Sequence, residues 1–422
     1  MSEESKNFPQ GFLWGSATSS HQVEGNCDND WSRWEKANAE RLAEEAEGRF
    51  SHLPNWPEIK DEAQNPQNYI SGRACDHYHR FEEDFDIAKS LGHNAHRFSI
   101  EWSRIEPEEG KFNEVEIEHY RQVILALRTR GIEPFVTLNH WTLPLWFSEK
   151  GGWQNSQSVI NFAKFVDFVA KNLKNEVNFW ITLNEPGIYI AQSYLLGLWP
   201  PQKKSLLVSL KILKNLLSAH KSAFNIIKSF DPKAQVGLVD DIMYYEGGIS
   251  FLADWFANRE FLNLVGRRMD FIGLNFYFHQ KFSGFKFIKS DSENKSDLGW
   301  EIHPEGIYHV LKKLKRYHRP IYITENGLAD AKDAKRAEFI REHLKWTQKA
   351  IAEGVDVQGY FHWSLLDNFE WDKGFWPRFG LVEIDYKTLE RKIRPSALEY
   401  AKICKNNVIA SPAVAGRSNP DE

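Results

Sequence analysis

The sequence contains little cysteine and no long uncharged hydrophobic run. Its three cysteines, Cys27, Cys75 and Cys404, are scattered without a CxxC spacing, so we expect neither a disulfide framework nor a zinc knuckle. No segment approaches the ~18 apolar residues of a membrane span. Residues 1–10 are polar and lack the apolar region of a secretory signal. We therefore expect a soluble, cytoplasmic protein with no membrane partner.

An excess of basic residues and nucleotide-binding loops are also absent. Lys and Arg number 53 against 58 Asp and Glu, which gives a net charge of −5 without any basic block. Such a balance argues against nucleic acid as a partner, because phosphate binding relies on clustered Lys and Arg. No GxGxxG or GxxxxGK[ST] pattern follows a predicted strand, so a nucleotide cofactor is not expected. Oligomeric state is not predicted by the sequence.

Aromatic residues, in contrast, are abundant. The chain of 422 residues contains 29 Phe, 16 Trp and 14 Tyr. Flat rings bordered by polar groups suit sugars, whose C–H patches lie on the ring while the hydroxyls bond outward. Trp-rich cores also exist without a carbohydrate ligand, so composition alone leaves both interpretations open.

Short apolar or β-branched runs alternate with longer helical patterns along the whole chain. Eight runs have the length and composition of strands: residues 12–17, 94–102, 133–140, 178–185, 235–240, 270–277, 320–326 and 357–365. Between them, the 3.6-residue apolar spacing predicts helices over residues 76–91, 117–130, 159–173, 206–230, 304–317 and 331–353.

This alternation predicts an α/β protein with a single (β/α)8 TIM barrel. An open doubly wound sheet is the structural alternative, but the nucleotide-binding loops typical of it are missing. We expect one catalytic domain over residues 1–422, with a core of about 8–405. Residues 38–72 are predicted to form an insertion after the first strand, and residues 409–422 a flexible tail.

Two predicted strands end in a glutamate, Glu185 after the fourth and Glu325 after the seventh. Active sites of such barrels lie at the carboxyl ends of the strands, so these side chains are expected to face each other across the mouth. Paired carboxylates on either side of a scissile bond are what glycoside hydrolysis requires. A single Glu in this position can instead cap the next helix or pair with a surface Arg.

Residues 182–186 (TLNEP) and 323–327 (ITENG) resemble the two signatures of glycoside hydrolase family one, the β-glucosidase and β-galactosidase barrels. Further matching motifs occur in the family's order at residues 12–17, 22–25, 97–100, 140–141, 275–277 and 368–371. The resemblance extends from residue 12 to about residue 400, nearly the whole chain.

The resemblance implies a retaining reaction through a covalent glycosyl-enzyme, with no metal and no organic cofactor. Glu325 would be the nucleophile, and Glu185 would act first as the acid and then as the base. Arg97 and Tyr277 would support the nucleophile by donating hydrogen bonds to it. Considered alone, Arg97 is as readily explained as a buried structural arginine satisfied by strand-end carbonyls.

The resemblance also implies a sugar-binding set: Gln22, His140, Asn184, Asn275, Tyr277, Trp300, Trp363, Glu370, Trp371 and Phe379. Trp363 would be the stacking floor and Trp300 would border the leaving group. Taken singly, Trp363 is also typical of a core and His140 of a structural histidine. Glu370 lies among aromatic residues, where an unpaired charge is costly unless a ligand or donor meets it.

The resulting interpretation is an exo-β-glycosidase acting on terminal, unphosphorylated β-D-glycosides or oligosaccharides. The acidic Glu370 disfavours a 6-phosphorylated sugar, because a carboxylate repels the dianion. β-Glucosidase activity is expected, with β-fucosidase and β-galactosidase activity beside it. A transglycosylase with the same chemistry and a non-catalytic glycan-binding protein remain the alternatives. The preferred sugar and the natural leaving group are not resolved by the sequence.

One weaker motif is the HxH pair of residues 76–79 (DHYH). It suggests a metal site in principle, but it begins an amphipathic helical pattern and has no HExxH context. A helix surface is the preferred interpretation.

Overall fold

The computed structural model describes residues 8–408, except residues 249, 251–253, 255–259, 278, 285 and 289–291. The predicted tail at 409–422 therefore lies outside the described residues. The described strands are β1 (Leu13–Ala17), β2 (Ala95–Ser99), β3 (Glu133–Thr137), β4 (Phe179–Asn184), β5 (Gln235–Asp241), β6 (Tyr244–Glu246), β7 (Phe271–Asn275), β8 (His279–Ser283), β9 (Lys286–Ile288), β10 (Ile321–Asn326), β11 (Val357–Trp363), β12 (Val382–Ile384) and β13 (Arg391–Ile393).

Eight of these strands form a closed parallel barrel in the order β1-β11-β10-β7-β5-β4-β3-β2. Closure is achieved because β1 pairs with β11 on one side and with β2 on the other. The predicted (β/α)8 barrel is thus confirmed, and a doubly wound sheet, which has open edges, is excluded. All eight strands run in the same direction, so their carboxyl ends meet at one rim.

The inside of the barrel is filled by apolar side chains that come from different strands. They form one buried cluster: Ala95, Phe135, Ile181, Val239, Phe271, Tyr322 and Phe361. The Phe135 ring stacks on the Phe179 ring at 4.2 Å and meets the Phe361 ring at 4.9 Å. A core packed this tightly fixes the strands relative to one another and thereby the side chains at their ends.

Helices surround the barrel: α1 (Ser20–Val23), α2 (Asp30–Glu44), α3 (Ala46–Phe50), α4 (Trp56–Ala63), α5 (His77–Ser90), α6 (Trp102–Ile105), α7 (Glu114–Thr129), α8 (Leu145–Glu149), α9 (Ser158–Leu173), α10 (Pro186–Ile190), α11 (Leu206–Phe230), α12 (Glu260–Val265), α13 (Glu305–Leu314), α14 (Arg336–Ala352) and α15 (Pro395–Val408). Among the described helices, none combines the length and apolar character that crossing a bilayer requires.

The segment 38–72, predicted as an insertion, is largely helical. It contains the second half of α2, all of α3 and α4, and a 3-10 turn over Pro66–Tyr69. Its apolar side chains form a small cluster with Trp376: Ala46, Phe50, Leu53, Ile59 and Ala63. The segment therefore packs beside the chain that follows β11, which also carries Glu370.

Candidate active site

Glu185 and Glu325 line one cavity of about 150 Å³ at the carboxyl rim of the barrel. Glu325 lies within β10, and Glu185 follows β4 directly. The backbone of Glu185 is left-handed, with φ at 44°, and Trp141 and Trp371 in the same cavity wall have φ of 77° and 51°. Residues with side chains adopt this region at a cost that the surrounding structure must overcome.

Glu325 is surrounded by hydrogen-bond donors. An Arg97 Nη1 donates to one of its oxygens, and the Tyr277 hydroxyl donates to the other at 2.5 Å. Arg97 is itself held by Asn184 Oδ1 at 2.6 Å and by Thr137 Oγ1 at 3.2 Å. Buried donors of this kind stabilise the charged form of a carboxyl group. The alternative in which strand-end carbonyls satisfy Arg97 does not apply, since these partners are side chains.

Glu185 has a different environment. It is 5% exposed, and the Asn275 amide donates to its Oε1 at 2.5 Å. Burial, followed by the negative charges of Glu325 and Asp241, raises the pKa of Glu185 well above its usual value. Its side chain does not cap the helix that follows, so the capping alternative is excluded.

The two carboxyl groups therefore differ in the way that acid–base chemistry requires. Glu325 accepts hydrogen bonds from two donors, including a guanidinium. Glu185 is buried beside negatively charged groups. A protonated and an ionised carboxyl in one cavity can act together as a proton donor and a nucleophile.

Asn184 and Asn275 lie behind this pair rather than in the cavity wall. Asn184 accepts from Arg97 and lies 3.3 Å from His140 Nε2. Asn275 donates to Glu185 and accepts from Thr324 Oγ1 at 2.8 Å. The two amides thus connect the surroundings of both glutamates, and their predicted contact with a sugar stays a prediction.

Three of the predicted sugar-binding side chains present polar groups along the cavity: Gln22, His140 and Glu370. Gln22 donates to Asn368 Oδ1 at 2.9 Å and accepts from Ser19 Oγ at 2.6 Å, so its orientation is fixed. His140 Nδ1 is buried without a hydrogen-bond partner among the described residues. Burial and the nearby Arg97 charge lower the pKa of His140 well below its usual value, which keeps the ring neutral.

The carboxyl group of Glu370 can also accept hydrogen bonds from a ligand. Among the described residues, no hydrogen bond reaches its carboxylate, and burial raises its pKa to about 7. Lys373, in the same cavity wall, is the main positive group that opposes this shift. A half-buried carboxyl without a donor is suited to accept from ligand hydroxyls.

Aromatic rings form the remaining predicted part of the wall. His140 lies parallel to Trp363 and to Trp371, each at a centroid distance of 6.1 Å. Trp300 meets Tyr277 edge-on at 6.0 Å and Phe379 at 6.2 Å, and these rings pack in one cluster with Trp363. These flat faces give the cavity an apolar surface between its polar groups.

Sequence reasoning missed several residues of the cavity wall: Trp141, Ile188, Gln192, Trp199, Asp241 and Lys373. Asp241 is the most informative of them. It ends β5, and its Oδ1 is buried with no hydrogen-bond partner among the described residues. Burial and the charge of Glu325 raise the pKa of Asp241 to about 7. The signal was present, since Asp241 is a polar residue at a strand end, like Glu185.

Candidate metal ligands lie elsewhere. Two groups in the described chain bring three potential ligand atoms within 4.8 Å of one another, His21 with Cys27 and Glu101, and His279 with Glu301 and His303. Neither contributes a residue to the cavity wall. The histidines of the HxH motif diverge, since His77 bonds inward to Asp84 and the exposed His79 bonds to Asp76.

Known proteins resemble this chain over nearly its whole length. The model of glycosyl hydrolase family 1 matches residues 4–248 and 253–409. β-Glucosidase A of Thermotoga maritima is 35% identical, over 95% of this chain and 98% of that protein. The solved β-glycosidase of Pyrococcus horikoshii has a TM-score of 0.84 at 39% identity, covering 95% of each chain. The T. maritima β-glucosidase in complex with azafagomine has a TM-score of 0.81 at 34% identity, covering 95% of this chain and 99% of that one.

Proposed function

Because the chain belongs to glycosyl hydrolase family 1 and is a glycoside hydrolase, we propose that it removes terminal β-D-glycosyl units with retention of configuration. In this proposal Glu325 is the nucleophile and Glu185 the acid and base. β-Glucosidase activity is the main expected activity, in line with the β-glucosidases of T. maritima that this chain resembles.

The observation that carries the proposal is the unequal environment of the two carboxyl groups. Arg97 and Tyr277 both donate to Glu325, which favours the ionised form needed for attack. Glu185 is buried beside Glu325 and Asp241, which raises its pKa and favours the protonated form needed by an acid.

In the first step, Glu325 attacks the anomeric carbon while Glu185 transfers its proton to the departing oxygen. The bond between sugar and leaving group breaks as the ester to Glu325 forms. Once Glu325 is esterified, its negative charge is lost, so the pKa of Glu185 falls and the carboxylate form becomes favoured.

In the second step, the ionised Glu185 takes a proton from a water molecule while the water oxygen attacks the anomeric carbon. The attack comes from the face of the sugar opposite the bond to Glu325. The ester bond breaks and Glu325 regains its charge. Arg97 and Tyr277 stabilise that returning charge, because they already point at the two carboxylate oxygens.

The cavity supports a small terminal sugar as the bound unit. Its volume of about 150 Å³ is below the ~300 Å³ at which pockets for drug-sized ligands begin. Glu370, Gln22 and His140 supply polar contacts to hydroxyls, and Trp363 supplies a flat face. The carboxyl group of Glu370 favours a hydroxyl over a phosphate. It can accept a hydrogen bond from a hydroxyl of glucose, galactose or fucose.

The nucleophile assignment is tested with Glu325→Gly. We expect hydrolysis of an aryl β-glucoside to fall by roughly 10⁴-fold or more, as when one member of a catalytic unit is removed. Added azide should then restore turnover and yield an α-glucosyl azide, identified by NMR. Glu325→Gln is the matched control, because its amide fills the space and should not be rescued. Unchanged hydrolysis by Glu325→Gly, or a β-azide product, would reject the assignment.

A further inference from the structure

An unusual surface lies beside the cavity, formed by the exposed side chains of residues 195–214, and is called here the leucine–lysine surface. Six of the twelve large apolar residues that are exposed in the described chain fall within it: Leu195, Leu196, Leu198, Leu206, Leu207 and Leu210. Leu206 is 65% exposed and Leu207 80% exposed. Contiguous apolar exposure of this kind marks an interaction site.

The two groups of leucines lie on adjoining segments, because the chain folds back on itself between them. The Ser205 amide donates to the Tyr194 carbonyl at 2.8 Å, and the Lys203 amide donates to the Ser193 carbonyl at 3.0 Å. The Lys204 side chain lies against the backbone of Gly197. The first turns of α11 therefore stand beside the loop of residues 195–198.

The charge of this surface has one sign only. Residues 186–230 contain six lysines and no Asp or Glu, although the whole chain has a net charge of −5. Four of these lysines are exposed within the leucine–lysine surface: Lys203, Lys204, Lys211 and Lys214. Exposed leucines bordered by lysines are typical of helices that lie in a membrane interface, with the lysines facing lipid headgroups.

We propose that the leucine–lysine surface binds the surface of an anionic lipid bilayer. The leucines enter the boundary between headgroups and acyl chains, and the lysines contact the anionic headgroups. A second copy of this chain is a poorer occupant. A symmetric dimer through this surface brings the lysines of both copies together, and residues 186–230 provide no carboxylate to neutralise them.

The proposal has a consequence for access to the cavity and is independent of the proposed reaction. Ile188, Gln192 and Trp199 line the cavity and belong to the chain that carries the leucines. A protein bound through the leucine–lysine surface thus has its cavity next to the lipid headgroups.

The experiment measures co-sedimentation of the full chain with vesicles of phosphatidylcholine, with or without phosphatidylglycerol. We expect binding to the vesicles that contain phosphatidylglycerol, and weaker binding as salt is raised. The triple change Leu206→Ser, Leu207→Ser and Leu210→Ser should reduce the bound fraction at least tenfold, because three leucine side chains are then no longer transferred from water into the lipid. The charge reversal Lys203→Glu with Lys204→Glu should reduce it as well.

The matched control replaces three exposed leucines elsewhere: Leu125→Ser, Leu264→Ser and Leu398→Ser. This control should bind vesicles like the unmodified protein. All variants should retain hydrolysis of a soluble aryl β-glucoside, which reports folding because no changed residue lines the cavity. If the leucine variant does not fold, the charge reversal still decides the question.

Three results would overturn the proposal. The first is no sedimentation with either vesicle, and the second is sedimentation that the leucine and lysine changes leave intact. The third is a dimer of the unmodified protein, detected by light scattering, that the leucine variant converts to a monomer. In that last case a second copy covers the surface.

Discussion

At the scale of single residues, Glu185 and Glu325 have the same functional group but different proposed roles, because different side chains surround them. Their positions could be predicted, because polar residues at strand ends are visible in the sequence. Their roles could not be derived from spacing alone. The roles depend on which groups reach each carboxyl group, and Arg97 comes from 228 positions away from Glu325 in the chain.

The acid role of Glu185 predicts a dependence on the leaving group. Glu185→Ala should slow hydrolysis of alkyl β-glucosides far more than that of β-glucosides with acidic phenols, which depart without a proton. Rates across a series of leaving groups measure this difference. An equal loss on all substrates would count against an acid role. Asp167→Asn, at an exposed position of α9, serves as the control that should change nothing.

Asp241 predicts a shift in pH dependence. Its ionised form raises the pKa of Glu185, so Asp241→Asn should lower that pKa. The acid is then lost at lower pH, and the alkaline limb of the kcat/KM profile should move toward lower pH. The control Asp167→Asn should leave the profile unchanged. A limb that stays in place, or moves to higher pH, contradicts the coupling.

The same change also predicts a pH-dependent stability difference. The pKa of Asp241 is raised from 3.8 to about 7 in the folded chain, so the folded state holds this proton longer than the unfolded state. The group therefore stabilises the fold below its unfolded pKa, and that contribution is lost as pH rises toward about 7. Asp241→Asn should gain stability relative to the unmodified protein over that range, as measured by denaturant unfolding at several pH values.

At the scale of elements, all eight barrel strands were predicted, with ends that differ by a few residues. The strand predicted over 94–102 ends at Ser99, because a short helix, α6, begins at Trp102. Helix α2 was not predicted, although its buried residues Trp31, Trp34 and Leu42 recur at the spacing of a helix. The short strands β6, β8 and β9 pair in a separate sheet, and nothing in their local sequence specifies that pairing.

The contact between the ends of β10 and β11 predicts a sensitive position. A Cβ added at Gly327 would lie 1.9 Å from the Trp363 carbonyl oxygen, so Gly327→Ala must separate the two strand ends. We expect a loss of about 1–3 kcal/mol in the free energy of unfolding, as for other overpacked positions. We also expect a lower kcat, because Glu325 lies two residues earlier.

Gly48→Ala is the matched control, since a Cβ at Gly48 has no neighbour within 4 Å. Its stability should stay level or rise slightly, because alanine favours a helix over glycine. Thermal unfolding and initial rates on an aryl β-glucoside measure both effects. Equal behaviour of the two variants would show that the ends of β10 and β11 tolerate separation.

At the scale of the whole molecule, the two ends of the described chain meet where β1 pairs with β11. The Tyr400 hydroxyl donates to the Gly15 carbonyl of β1 at 3.0 Å and to the Tyr360 carbonyl of β11 at 3.3 Å. Helix α15 thus covers the place where the barrel closes, and Cys404 is buried there. This long-range arrangement follows from closure of the barrel, which the sequence pattern predicts only as a class of fold.

The domain prediction is tested by two truncations. Deletion of residues 409–422 should leave the melting temperature and the activity unchanged, because the described core is complete through α15. Deletion from residue 395 onward removes Tyr400 and Cys404, both buried, and should prevent cooperative folding. Calorimetry compares the two proteins. A large destabilisation from the shorter deletion would show that the domain extends beyond its predicted core.

The left-handed backbone at Trp141, Glu185 and Trp371 costs stability that a glycine would spare. At Trp141 and Trp371 the buried rings outweigh this cost, since truncating a buried Trp costs about 3–5 kcal/mol. At Glu185 the buried carboxyl group adds a second cost. Glu185 is therefore the position at which durability and the proposed turnover compete.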